Sequence, residues 1–287
     1  MKEYNLIADN LSYSYGKLKA VDGISFSLLP GEILGFLGPN GAGKTTTWKM
    51  LTGQMRPQGG TINILGKEIV KNTKEIQKYI GVCFEYTNLY EQMSARENLK
   101  FFSRLFGIRN YDVEALLRRI GFEDKGDMKI EQYSKGMKQR IMVARSIINE
   151  PKILFLDEPT SGLDPVSSDD IRRIIREEQQ RGATIFLTTH DMMEADKLCD
   201  RVAFINQGKI TALDTPHNLK QSYGQRMLKA RVAENGAFKD IEIPMDTPET
   251  PDLAKKLFAE NKIITLHSAE ATLEDIFIKI NGRGLGT

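Results

Sequence analysis

The sequence predicts an α/β fold: a largely parallel sheet covered by helices, an antiparallel sheet at its edge, an inserted helical subdomain and a small α+β appendage at the C-terminal end. Three observations carry this. Wholly apolar runs of strand length alternate with stretches of helical period. Those runs end in glycine-rich or acidic turns, as strands buried on both faces do. The chain has 287 residues, 40% of them apolar, which suffices for one large domain and a small appendage.

Taken in order, residues 5–15 and 21–29 alternate polar and apolar positions and read as hairpin strands, with residues 61–65 as a third strand of that antiparallel sheet. Residues 32–37 form a buried strand that runs into a glycine-rich turn, and residues 45–51 a helix after it. Residues 79–84 give the next buried strand. From about residue 88 to 150 the pattern turns helical, with helices over 96–106, 112–120 and 138–148. Because it interrupts two core strands, this stretch reads as an inserted subdomain. Residues 153–156 and 184–188 are further buried strands, and 168–181 a helix with Ile171, Ile174 and Ile175 on one face. A break is expected after Gly208, and the turn residues Asp214-Thr215-Pro216-His217 place a boundary between 1–212 and 213–287. Pro244, Pro248 and Pro251 mark loops in the tail. Leu273, Ile276, Phe277 and Ile280 predict an amphipathic last helix, packed on its own domain or used as a contact with a second copy or partner.

Composition excludes several functions. With 40 basic and 38 acidic residues the net charge is +2, so no global field draws the chain to nucleic acid. Cys83 and Cys199 form no CxxC pair, and read as small buried residues in a reducing cytoplasm rather than as zinc ligands or a disulfide. The opening residues carry Glu3 and Asp9 and do not read as a signal peptide. Apolar runs such as 153–156 and 185–187 are strand-sized, too short to span a bilayer. If the chain serves a membrane process, it docks onto another chain that supplies the spans.

Gly38-Pro39-Asn40-Gly41-Ala42-Gly43-Lys44-Thr45 matches the P-loop pattern in full, between a predicted strand and a predicted helix. The glycines let backbone N–H groups turn inward around phosphate oxygens, and the helix N-terminus adds partial positive charge. Lys44 then reaches the β- and γ-phosphates, and the Thr45 hydroxyl binds Mg²⁺. The predicted core is thus a P-loop NTPase. A second apolar strand delivers two adjacent carboxylates, Asp157 and Glu158, at the sheet edge where such folds bind ligands. Asp157 suits the Mg²⁺ shell, and Glu158 suits polarising an attacking water. His190 follows a third apolar strand and falls at the same edge, placed to contact the γ-phosphate and orient the water.

With these residues in place, the chain resembles the nucleotide-binding subunit of ABC transporters over about residues 4–212. Ser134-Lys135-Gly136-Met137-Lys138-Gln139-Arg140 is similar to the family's signature motif, Ser161-Gly162-Leu163-Asp164 to its D-loop, and His190 falls at the switch-histidine position. Tyr15 falls where the family stacks an aromatic ring on adenine. The resemblance implies an ATPase on the cytoplasmic face of the membrane, powering a separate permease, with ATP bound by Tyr15, the loop from Gly38 to Thr46, Ser134, Gly136 and Asp164. Mg²⁺ would be held by Thr45, Asp157 and Glu85, and catalysis carried by Glu158, His190 and Lys44. It further implies two copies head to tail, each ATP lying between the P-loop of one and the signature of the other.

Two positions depart from the family pattern. The signature reads Tyr-Ser-Lys-Gly-Met where Leu-Ser-Gly-Gly-Gln is commonest, although the serine and second glycine persist. Glu85 stands where the family usually has a glutamine that bridges Mg²⁺ and the permease. A glutamate keeps an oxygen ligand and adds a negative charge, which binds Mg²⁺ more strongly or repels nucleotide depending on distance. Exporters resembling bacterial self-protection systems against peptide antibiotics, of lantibiotic and bacitracin type, share this glutamate. The tail 271–277 also resembles that of bacterial drug-exporter ATPases. An importer or ion-exporter ATPase is the alternative within the family. A soluble ATP-driven clamp fits less well, because only about 90 residues separate Lys44 from Ser134. So does a translation-acting paired ATPase, because only one P-loop is present.

Overall fold

The computed structural model describes residues 4–234, 237–245, 247–260 and 262–282. The chain forms two compact units, Met1–Leu213 and Asp214–Thr287.

In the first unit β1 (Leu6–Tyr15) and β2 (Leu18–Leu28) make an antiparallel hairpin that buries Leu6, Leu11, Val21, Ile24 and Leu28. β3 (Ile33–Leu37) is buried at every position, and α1 (Lys44–Leu51) follows the loop at its end. β4 (Gly59–Ile64) and β5 (Lys67–Glu68) complete a sheet of order β2-β1-β4-β5. α2 (Ile69–Ile76) and β6 (Ile80–Cys83) return the chain to a second sheet. There the helical insertion begins: α3 (Ala95–Leu105), α4 (Val113–Arg119), a 3₁₀ turn at Ile130–Gln132, and α5 (Lys135–Ser146). β7 (Ile153–Asp157), α6 (Pro165–Gln180), β8 (Thr184–Thr189), α7 (Met192–Leu198), β9 (Arg201–Asn206) and β10 (Lys209–Asp214) close the unit.

The second sheet has the order β10-β9-β3-β8-β7-β6, and β9, β3, β8, β7 and β6 are mutually parallel. Parallel strands end on the same side. Leu37 pairs with Thr189 and Asp157 with Thr188, so the exits of β3, β7 and β8 are level. This is what brings the P-loop, the two carboxylates and His190 to one edge. The rings of Phe26, Phe36, Phe155 and Phe186 join the two sheets, with centroids 5.4 Å apart for Phe36–Phe186 and 5.5 Å for Phe26–Phe36. Each such buried ring stabilises the fold by about 1.5–3 kcal/mol relative to exposure.

Several boundaries differ from the sequence reading. α6 starts at Pro165 rather than 168, because Asp164 caps the Ser167 N–H at 3.0 Å and proline suits the first helical position. α5 starts at Lys135 rather than 138, behind the Ser134 cap. No break follows Gly208. Gln207 and Gly208 take left-handed φ values of 50° and 76°, and this tight turn feeds β10 into the sheet. Pro251 lies in the first turn of a helix rather than in a loop.

The second unit holds α8 (Pro216–Tyr223), β11 (Met227–Glu234), β12 (Ala237–Pro244), α9 (Thr250–Glu260), β13 (Lys262–Ala269) and α10 (Leu273–Asn281). Its antiparallel sheet runs β12-β11-β13 over a core of Ala230, Val232, Ile243 and Leu257. α10 opens with a capping box of Thr272 and Asp275, buries Leu273, Ile276 and Phe277, and packs on α8. There Lys279 Nζ donates to the Tyr223 carbonyl at 2.8 Å.

Candidate functional site

The loop between β3 and α1 is shaped by what surrounds it. A Cβ on Gly38 would lie 2.2 Å from the Ile205 carbonyl oxygen, and one on Gly43 2.4 Å from the Ala20 carbonyl oxygen. Gly43 also holds φ at 109°, which side chains rarely adopt. α1 starts with no side-chain cap and no acidic residue in its first turn, so its first N–H groups stay available for an anion. Lys44 is buried and folds back on this loop, donating to the carbonyls of Gly38 at 2.7 Å and Pro39 at 3.2 Å. Its Nζ lies 3.6 Å from Glu158 Oε1.

Glu158 is buried with φ at 49°, a left-handed conformation that costs a non-glycine residue about 1–3 kcal/mol. The cost is offset where Glu158 N–H donates to the Thr188 carbonyl at 3.1 Å. Glu158 Oε2 sits 2.9 Å from His190 Nδ1, and His190 itself is half exposed. Thr188 Oγ1 also donates to Asp157, fixing that carboxylate. Tyr15, Pro39, Asn40, Gly41, Gly43, Lys44, Thr45, Thr46, Glu85, Glu158, Ser161 and His190 line one cavity of 370 Å³ with Leu18 and Ala20. Tyr15 is about half exposed at its rim, edge-on to Tyr13 at 5.0 Å.

Charge in this cavity is finely opposed. Burial pushes the Lys44 ammonium below its ordinary pKa, against the pull of Glu158, Asp157 and Glu85. Burial likewise pushes Asp157 up, with the charges of Glu85 and Glu158 adding to it and the Thr188 hydroxyl opposing. Among the described residues no three His, Cys, Asp or Glu side chains converge as an all-protein metal cage. The donor set of Thr45, Asp157 and Glu85 instead suits Mg²⁺, which takes one or two carboxylates and completes its octahedron with phosphate and water.

A second cluster lies apart from the cavity lining. Ser134 caps α5 by accepting from the Met137 N–H at 3.3 Å, and Gly136 lies against Ser167 at the start of α6. Asp164 accepts from the Ser167 hydroxyl at 2.6 Å and N–H at 3.0 Å, and these bonds hold its carboxyl below the usual range. Neither Ser134, Gly136 nor Asp164 lines the cavity of its own chain.

Comparison with known proteins decides what this pair of clusters belongs to. Residues 21–161 match the ABC transporter family. The chain is 42% identical over 278 residues to the fluoroquinolones export ATP-binding protein of Mycobacterium tuberculosis strain CDC 1551 / Oshkosh, covering 96% of this chain and 92% of that one. The chain belongs to the ABC transporter ATP-binding family. It is 33% identical to the bacitracin transport ATP-binding protein BcrA of Bacillus licheniformis, over 96% of each. The solved structure of cbiO1 from Clostridium perfringens, part of the ABC transporter complex cbiONQ, superposes with a TM-score of 0.69 at 30% identity, covering 77% of this chain and 92% of that one.

As an ABC subunit the chain binds and hydrolyses ATP and works with membrane permease partners. No helix among the described residues is long and apolar enough to cross a membrane. Cys83 and Cys199 are free and buried, and burial pushes the Cys83 thiol up to about 12. Sequence reasoning missed Thr188, and it gave Ser161 only a place in the D-loop resemblance, not in the cavity wall. Thr188 is one of three threonines in β8, and only the sheet register, which sets it opposite Asp157, singles it out.

Proposed function

We propose that this subunit drives efflux of an antimicrobial peptide or lipophilic drug through a separate permease at the cytoplasmic face of the membrane, as a head-to-tail pair that closes over two ATP molecules. One observation carries the reading: the chain has two phosphate-suited clusters, and only one lines its own cavity. The other, Ser134 and Gly136 at an α5 N-terminus, is then offered to the nucleotide of a second copy. Two relatives point to the cargo, one exporting fluoroquinolones and one transporting bacitracin. Glu85 agrees with that group.

In the mechanism Lys44 leaves its loop carbonyls for the β- and γ-phosphate oxygens. Glu158, oriented by His190, accepts the proton of the attacking water. Thr45, Asp157 and Glu85 would hold Mg²⁺, which would supply positive charge to offset that of the phosphates. Loss of the γ-phosphate removes what Ser134 and Gly136 grip, and the pair loosens. Beside Glu85 a groove of 750 Å³, lined by Val82, Phe84, Phe102, Leu105, Phe106 and Arg145, receives the permease. Its apolar wall suits a short amphipathic segment of that partner.

The test is transport. The chain and its permease, reconstituted in vesicles, are expected to move a fluoroquinolone or bacitracin only with ATP, and a Glu158→Gln chain to pair on ATP without turnover. A Glu158→Gln chain that stays single with ATP and permease present overturns the pairing. Vesicles that move neither drug overturn the cargo.

A further inference from the structure

Lys135 stands in the signature where glycine is usual, and the structure gives it a partner. Its ammonium donates to the Ser161 carbonyl at 2.8 Å. The fit is close: a Cβ on Gly162 would lie 2.6 Å from that nitrogen, and Gly162 holds φ at +65°. One residue on, a Cβ on Gly136 would meet Ser167 Oγ at 2.4 Å. The turn that opens α5 and the turn that opens α6 are therefore locked by a charge-assisted hydrogen bond and by close backbone approach.

The Ser161 end of this bond leads to the other cluster. Ser161 N–H donates to the Glu158 carbonyl at 3.2 Å, and Ser161 lines the cavity with Lys44, Glu158 and His190. A residue flanked by Ser134 and Gly136 is thus one hydrogen bond from the wall of its own chain's nucleotide cavity.

We propose that Lys135 is a positioning residue that links the two half-sites of one chain, so that nucleotide gripped at Ser134 and Gly136 sets the Ser161 turn and, through it, Glu158. Hydrolysis at the two sites of the pair is then cooperative. This rests on the head-to-tail pairing proposed above. A link of this kind acts by having two discrete arrangements, and an ammonium on a flexible stem supplies them by making or breaking one directional bond.

The experiment uses the full chain with its permease and reads ATPase rate against ATP concentration. The parent is expected to show a Hill coefficient of roughly 1.5 or more, with two sites setting the ceiling at about 2. Lys135→Met is expected to bring it to about 1, and Lys135→Arg, which keeps a donor, to retain it. Gly162→Ala crowds the ammonium and is expected to act like Lys135→Met, with no further loss when the two are combined. Lys135 is exposed, so its variants are expected to melt with the parent. A parent coefficient of 1, or one that Lys135→Met leaves unchanged, overturns the link. In a Glu158→Gln background, ATP-dependent pairing is expected with or without Lys135→Met. Pairing lost only with Lys135→Met overturns the link by making Lys135 an interface contact, whereas pairing absent in both overturns the dimer reading itself.

Discussion

Replacing Glu158 by glutamine removes two roles that the proposed function gives to one carboxylate. As the proton acceptor for water it contributes the 10²–10⁴-fold typical of a positioned general base, about 2.7–5.4 kcal/mol of barrier. As a charge, it supports Lys44 across 3.6 Å, a gross attraction of about 4–5 kcal/mol at an effective dielectric near 20, before desolvation is subtracted. The amide keeps the shape and removes both. The turnover number is therefore expected to fall by 10²–10⁴-fold, while ATP affinity holds or improves because Lys44 loses its competitor for phosphate. The sign of the pH effect follows. Lys44 already titrates below its ordinary pKa through burial, and Glu158 is the first of the charges opposing that. Without it the free-state pKa drops further, so ATP binding weakens at a lower pH than in the parent. Phosphate release gives the first quantity and fluorescent-nucleotide titration across pH the second. A loss of turnover under tenfold, or an alkaline limb of binding that stays put, refutes the reasoning.

Asp157→Asn is expected to raise the melting temperature of the nucleotide-free chain at pH 8 while abolishing hydrolysis. Asp157 has a raised pKa in the folded chain, so its contribution to stability is greatest below its unfolded pKa and is lost as pH rises through the folded one. The gap between the two melting curves should close as pH falls toward about 4. Phe155→Ala removes a fully buried ring from the cluster joining the sheets and should cost about 3–5 kcal/mol in denaturant unfolding. Glu85→Gln should raise the Mg²⁺ concentration for half-maximal rate by roughly tenfold, about 1.4 kcal/mol, read by metal titration of the ATPase.

How much of this was legible in the sequence follows from how local each determinant is. The P-loop could be read because its conformation is dictated by its own glycines. Asp157 and Glu158 could be read because a wholly apolar strand must end at the ligand edge. Strand order could not. Nothing in the sequence says that β3 lies between β8 and β9, and without that order the contact of Lys44 with Glu158 is invisible. The helix starts at Lys135 and Pro165 were misplaced by a turn because the caps Ser134 and Asp164 were read as ligand contacts, and each residue does sit at a cap. α2 went unseen because only Ile69 and Ile76 of its eight residues are buried, too few to show a period. The break expected after Gly208 is instead a tight hairpin turn, because a turn and a linker draw on the same residue types.

The four phenylalanine rings between the sheets have a consequence for nucleotide choice. They tie the hairpin carrying Tyr15 to the strands carrying the P-loop and Glu158, so the aromatic rim and the phosphate cradle form a caliper of fixed span. On the expected seating of a base at Tyr15, a ligand is gauged by length, since it reaches Lys44 and Glu158 across the cavity only through a phosphate chain long enough to span it. A tripolyphosphate without a base, or a nucleoside monophosphate, touches one jaw at a time.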